Sequence, residues 1–166
     1  MKRALIFALI PLLFAISASA GPREKNVLFA RMVSSQEVPA VVGSGSGSFK
    51  AVISEDDTSI SFEIEYANLQ ADILQGHVHV GLPFTNGGIS IFFCGGGAQP
   101  ACPVGTSGTI TGTMTAANMD PRAMGQGVAQ GDFAALLVAL RKGITYANLH
   151  TMKFPAGEVR GQVIAF

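Results

Sequence analysis

A chain of 166 residues with eleven basic and eleven acidic side chains carries no net charge. That balance excludes the basic footprint that a nucleic acid or an anionic membrane surface requires. Few charged residues and an abundance of Gly, Thr, Ser and Val predict an all-β protein rich in turns. The length suits one domain with a real core.

Residues 1–20 read as a secretory signal peptide. Lys2 and Arg3 form a positive start, 4–16 is apolar apart from Pro11, and Ala18-Ser19-Ala20 is a small-residue cleavage site, with the cut expected after Ala20. The apolar run is short for a membrane span, no cysteine follows it to carry a lipid, and nothing later is apolar enough for long enough to cross a bilayer. Cleavage leaves about 146 residues; without Lys2 and Arg3, nine basic residues face eleven acidic ones, a net charge of −2. The expected destination is secretion or the periplasm. Both are oxidising, so Cys94 and Cys102 are expected to form a disulfide closing the glycine-rich loop 95–101. A metal or catalytic thiol role fits less well, since no histidine or other cysteine lies near them in sequence.

In chain order, strands are predicted over 26–32, 46–54, 59–66, 74–81, 89–94, 108–115, 144–151 and 158–166. Pro39 cannot donate to a ladder and marks an edge or bend after the first strand. The clearest strand is 59–66, where Ile60, Phe62, Ile64 and Tyr66 alternate with Ser61, Glu63 and Glu65. It forms a hairpin with the strand before it, around Glu55-Asp56-Asp57-Thr58. Asn86-Gly87 is a strong turn pair within 83–88. One helix is expected over 132–142: Asp132 suits the N-cap, Phe133, Leu136, Leu137 and Leu140 make one apolar face, Arg141 and Lys142 favour the C-terminal end, and Gly143 suits the stop. About eight short strands with turns between them and one helix point to an antiparallel β-sandwich or Greek-key barrel.

The three histidines of the chain fall in two strands. In Gly76-His77-Val78-His79-Val80-Gly81, alternation puts His77 and His79 on one face; in Tyr146-Ala147-Asn148-Leu149-His150-Thr151, Tyr146, Asn148 and His150 share a face. If the strands pack side by side, three imidazoles converge. Neutral imidazoles suit copper or zinc, a three-histidine set leaves a coordination position open, and Asn148 could orient a ligand. Three readings stay open: a copper or zinc site with His77, His79 and His150 as ligands, a buried polar network, and general acid–base catalysis. The carboxylate nearest in sequence is Asp72. Glu158 and Arg160 alternate on one strand face and are expected to form a solvated or sheet-stabilising ion pair. The chain has neither a nucleophile elbow nor a phosphate loop, and no catalytic residue is assigned.

Four segments together carry a resemblance: Glu37-Val38-Pro39, Gly76 to Gly81, Tyr146 to Thr151, and Pro155-Ala156-Gly157-Glu158-Val159-Arg160-Gly161-Gln162. In this order and spacing they resemble the CHRD domain, named after chordin and found singly in many secreted bacterial proteins. The resemblance runs over 27–166. It implies an immunoglobulin-like β-sandwich similar to the copper/zinc superoxide dismutase fold. The function expected with it is that of a secreted, non-enzymatic extracellular binding or structural module, its partner an unidentified extracellular protein or matrix component. The dismutases carry copper on an H-V-H strand plus two further histidines. His77 and His79 match that pair and His150 is a candidate third. The chain lacks a fourth histidine for the bridging position and a His/Asp cluster for zinc, which argues against a cycling dismutase site of the usual kind. The alternative function is a copper- or zinc-binding secreted protein, with redox activity open to it.

Overall fold

The computed structural model describes residues 25–166. The expected signal peptide at 1–20 lies outside them. Side-chain alternation sets one half of the fold. In β3 (Ile60–Ala67), Ile60, Phe62, Ile64 and Tyr66 are buried while Ser61 and Glu65 face solvent. β3 pairs antiparallel with β2 (Ser46–Ile53) on one side and β6 (Gly108–Met114) on the other, and β2 pairs with β1 (Val27–Val33). The opposed pair Phe49 and Ile64 points inward, and Lys50 stands opposite Glu63 on the outside.

The other half contains β4 (Ile73–Val80), β5 (Ile89–Cys94), β7 (Thr145–Thr151) and β8 (Val159–Gln162). Every residue of β5 and β7 is buried, so these strands are covered on both faces. The sheet order is β5-β4-β7-β8-β1-β2-β3-β6. Its two ends curl back toward each other, giving a nearly closed nine-strand antiparallel sheet. The expected strand 158–166 is two: Val163 bonds to the Thr145 carbonyl, and β9 (Ile164–Ala165) then crosses to pair with Phe29 and Leu28 of β1.

The interior of the sandwich lies between the halves. Phe93 of β5 packs on Phe49 of β2 and Phe62 of β3, with ring centroids 5.1 and 5.3 Å apart. Each such side chain contributes roughly 1.5–3 kcal/mol on burial. The helix α1 (Phe133–Arg141) adds Phe133, Leu136, Leu137 and Leu140 to that core, and Asp132 caps it by accepting from the Ala135 N–H at 3.0 Å. Cys94 and Cys102 are joined in a disulfide. Among the described residues no helix is long and apolar enough to cross a membrane.

Strands β4, β5 and β7 present two buried faces. Val78, Val80, Ile91, Phe93, Ala147 and Leu149 face the core. His77, His79, Phe92, Tyr146, Asn148 and His150 face the opposite way and are also buried. They form a second, polar and aromatic layer beneath the connecting segments.

Candidate metal centre

Strand register assembles the site. β4 lies between β5 and β7, so His77 stands opposite Phe92 on one side and Asn148 on the other. His79 stands opposite Tyr146, and His150 is opposite Gln75, two positions along from His77. Directly opposed residues in an antiparallel pair share a face. The alternation expected for each strand therefore brings all three imidazoles onto one surface. Their ring centroids are 4.5 Å (His77–His79), 4.5 Å (His77–His150) and 6.2 Å (His79–His150) apart. One donor nitrogen from each lies within 4.8 Å of the others.

Two rings have an assigned tautomer. His79 Nδ1 lies 2.8 Å from the Gly87 carbonyl oxygen, and His150 Nδ1 lies 3.0 Å from the Pro155 carbonyl oxygen. A carbonyl can only accept, so each Nδ1 carries the proton and each Nε2 keeps its lone pair. Among the described residues, Nε2 of His79, Nε2 of His150 and both ring nitrogens of His77 are buried without a hydrogen-bond partner. Burial holds all three rings well toward the neutral form: His77 falls far below the usual imidazole range, His79 to about 4, and His150 also falls. Neutral rings with inward lone pairs, two of them with Nδ1–H held by a backbone carbonyl, are the donor arrangement that copper and zinc sites use. The residues present fit such an ion.

Aromatic walls enclose the cluster. Tyr146 stacks on His79 at 4.5 Å and 8° from parallel, and Phe92 meets His77 edge-on at 5.1 Å. The Arg160 guanidinium lies 3.5 Å over the other face of Tyr146, and Arg122 lies 5.6 Å over Phe92. The Tyr146 hydroxyl accepts from the Gly87 N–H at 3.3 Å, so it anchors the residue whose carbonyl holds His79. The loop turns at Phe84, which has φ 65° and sits behind the bond from the Thr85 N–H to the Leu82 carbonyl. The Asn86-Gly87 pair is therefore not the turn itself. Gly87 is needed because a Cβ there would stand 1.6 Å from the Val80 carbonyl oxygen.

Asn148 donates to Glu37 Oε1 at 2.6 Å and to the Val159 carbonyl at 2.9 Å; backbone carbonyls orient His79 and His150. Glu37 is buried, and burial raises its carboxyl to about 7 against the opposing pull of the Asn148 bond and the Arg160 charge. Gly157 makes room for that carboxylate, since a Cβ there would lie 2.6 Å from Oε2. Glu158 and Arg160 do not make the expected surface pair. Both are buried. Glu158 accepts from the Gln70 N–H at 2.8 Å and the Thr151 hydroxyl at 2.7 Å, while Arg160 donates to the Leu82 carbonyl and Asn86. Asp72 is engaged by the Gly105 N–H at 2.9 Å and is not in the cluster. The parts missed in the sequence are the Gly87 and Pro155 carbonyls, which have no side-chain signature, and the stack of Arg160 on Tyr146.

The fold and this layer define a small antiparallel β-sandwich domain carrying a buried three-histidine cluster, with a disulfide that agrees with an extracellular or periplasmic location. The chain matches the CHRD domain over residues 28–163 and belongs to that family. At family level it is a non-enzymatic extracellular module. No curated protein and no solved structure matches it.

Proposed function

We propose that this chain is an exported metal-binding member of the CHRD family, with His77, His79 and His150 as the protein ligands of one copper or zinc ion. The observation that carries the reading is the set of four buried, unpartnered nitrogens on three adjoining rings. A buried polar atom without a partner costs about 1–3 kcal/mol, and a polar network would satisfy these atoms internally. An ion satisfies three of them directly, one lone pair from each ring, and leaves the second His77 nitrogen as an N–H. At ~2.0–2.1 Å from each nitrogen it requires the three rings to draw together. Glu37, Asn148, Tyr146 and Arg160 act as the frame around it, with Asn148 placed to hold the β7–β8 backbone beside His150. The domain over 27–166 follows a leader at 1–20, cut after Ala20.

The test loads purified mature protein with Cu(II), Cu(I) or Zn(II) and measures stoichiometry in wild type and His79→Ala. One ion per wild-type chain and none in the variant is expected. No stoichiometric ion in wild type, or equal uptake in the variant, refutes the site. N-terminal sequencing of protein from its native host is expected to begin at Gly21.

A further inference from the structure

The charge and the dryness of the pocket bear on which ion it takes. All three donors are neutral rings, and among the described residues the group able to share an ion contains no carboxylate or thiolate. Two cations stand against the aromatic walls of the site, Arg160 at 3.5 Å over Tyr146 and Arg122 at 5.6 Å over Phe92. Arg122 is held by Asp120, with Nε at 2.7 Å and a second nitrogen at 3.0 Å. Among the described residues Arg160 donates to neutral oxygens, of Leu82 and Asn86. Glu37 is turned away to Asn148, from which it accepts at 2.6 Å.

From this we propose that the site is built for copper in its cuprous state: His77, His79 and His150 hold one Cu(I) in a water-excluded pocket and discriminate by charge against Zn(II) and Cu(II). The inference rests on the metal-binding reading above and deepens it. A divalent ion on neutral ligands leaves two buried positive charges, and the desolvation cost of an ion grows with the square of its charge, roughly fourfold from one to two. Zinc also asks for a fourth ligand, ordinarily water when the protein supplies three. The unpartnered nitrogens are buried, and Phe92 and Tyr146 pack directly against the rings that carry them. Cupric copper prefers a tetragonal set of nitrogen and oxygen donors, and the Gly87 and Pro155 carbonyls and the Tyr146 hydroxyl are already engaged. A closed-shell monovalent ion accepts three neutral imidazoles with no fourth ligand and leaves one charge to bury.

The experiment is an anaerobic competition titration of the mature chain with Cu(I) and with Zn(II) against chromophoric chelators. The copper midpoint potential and X-ray absorption of the cuprous form are measured beside it. Expected are one Cu(I) per chain, Zn(II) at least 100-fold weaker, a three-nitrogen copper shell, and a potential above that of aqueous copper, rising by about 59 mV for each tenfold preference for Cu(I) over Cu(II). Zinc bound as tightly as Cu(I), in a manner abolished by His79→Ala, overturns the cuprous inference and leaves the metal site standing. Neither ion bound overturns both. Arg122 is half-exposed and lies over Phe92 rather than against a ligand, and Arg122→Gln leaves Asp120 without its cation there. It is expected to shift the Cu(I)-to-Zn(II) affinity ratio severalfold toward zinc, and an unchanged ratio overturns discrimination by charge.

Discussion

His79 lies flat on Tyr146, the two ring centroids 4.5 Å apart. The tyrosine hydroxyl meanwhile accepts from the N–H of Gly87, the residue whose carbonyl accepts the histidine's Nδ1–H. The stack sets the plane of the imidazole and the Gly87 carbonyl sets its rotation about that plane. Tyr146→Phe keeps the stack and removes the hydroxyl. The expected result is metal affinity lower by about tenfold, in the range seen when a ligand's hydrogen-bonding support is removed, with stability lower by ~1 kcal/mol. Competition titration and a urea melt read the two effects separately. Affinity equal to wild type would show that the hydroxyl does not position His79.

Gly87 tests the same support from the backbone. An added Cβ would stand 1.6 Å from the Val80 carbonyl oxygen, so Gly87→Ala must displace the segment that carries the Gly87 carbonyl. The sheet beneath is expected to hold, because β4 is also paired with β5 and β7. We expect a folded protein with at least tenfold weaker metal uptake and loss of the hydrogen-bonded Nδ1 proton signal of His79 in NMR. Retention of that signal would mean that the loop adapts without moving the carbonyl.

Much of this arrangement is legible in the sequence, for a physical reason. Period-two alternation depends only on local backbone geometry. It therefore places His77 with His79, and Tyr146 with Asn148 and His150, before any tertiary structure is known. The boundaries of β5 and the cap of α1 by Asp132 follow from equally local signals. Three things are not local. The break at Val163 arises because the last strand passes from β7 to β1. The role of Glu37 depends on a bond to a residue 111 positions away. Glu158 and Arg160 look like a surface pair because strand spacing says nothing of the segments that later cover them. Yet Glu37, Asn148, Gly157 and Arg160 all lie in the four segments that mark the family. In the fold those segments form one connected layer around the histidines.

The disulfide supports the loop after β5. Cys94 and Cys102 are eight positions apart. A ring that short lowers unfolded-state entropy by an amount equivalent to ~2–3 kcal/mol. The loop also has its own bonds, from the Gly95 N–H to the Pro100 carbonyl at 2.8 Å and from Gln99 Nε2 to the Thr113 carbonyl at 3.0 Å. The double substitution Cys94→Ser, Cys102→Ser is therefore expected to fold, with stability lower by ~2–3 kcal/mol in urea unfolding. A loss below ~0.5 kcal/mol would indicate that these bonds already order the loop in the unfolded chain.

Acid stability separates Glu37 from the histidines. Burial raises the Glu37 carboxyl from 4.5 to about 7. The folded protein therefore favours the protonated acid, and this contribution is complete below pH 4.5 and lost as pH rises through 7. The histidines run the other way. Their folded-state values lie below 6.5, with His79 at about 4. Their contribution is present above pH 6.5 and lost as pH falls through the folded-state values. In the metal-free protein the two trends oppose each other between pH 4.5 and 7. Glu37→Gln keeps an oxygen to accept from Asn148 and cannot ionise. Its stability relative to wild type is expected to be constant below pH 4.5, to grow from there to pH 7, and to stay level above. The variant alone should then show the histidine trend, a steady loss of stability as pH falls below 6.5. Urea midpoints at pH 4, 5.5, 7 and 8 for both proteins measure the difference, and a difference independent of pH would mean that Glu37 ionises in the fold as it does in the unfolded chain.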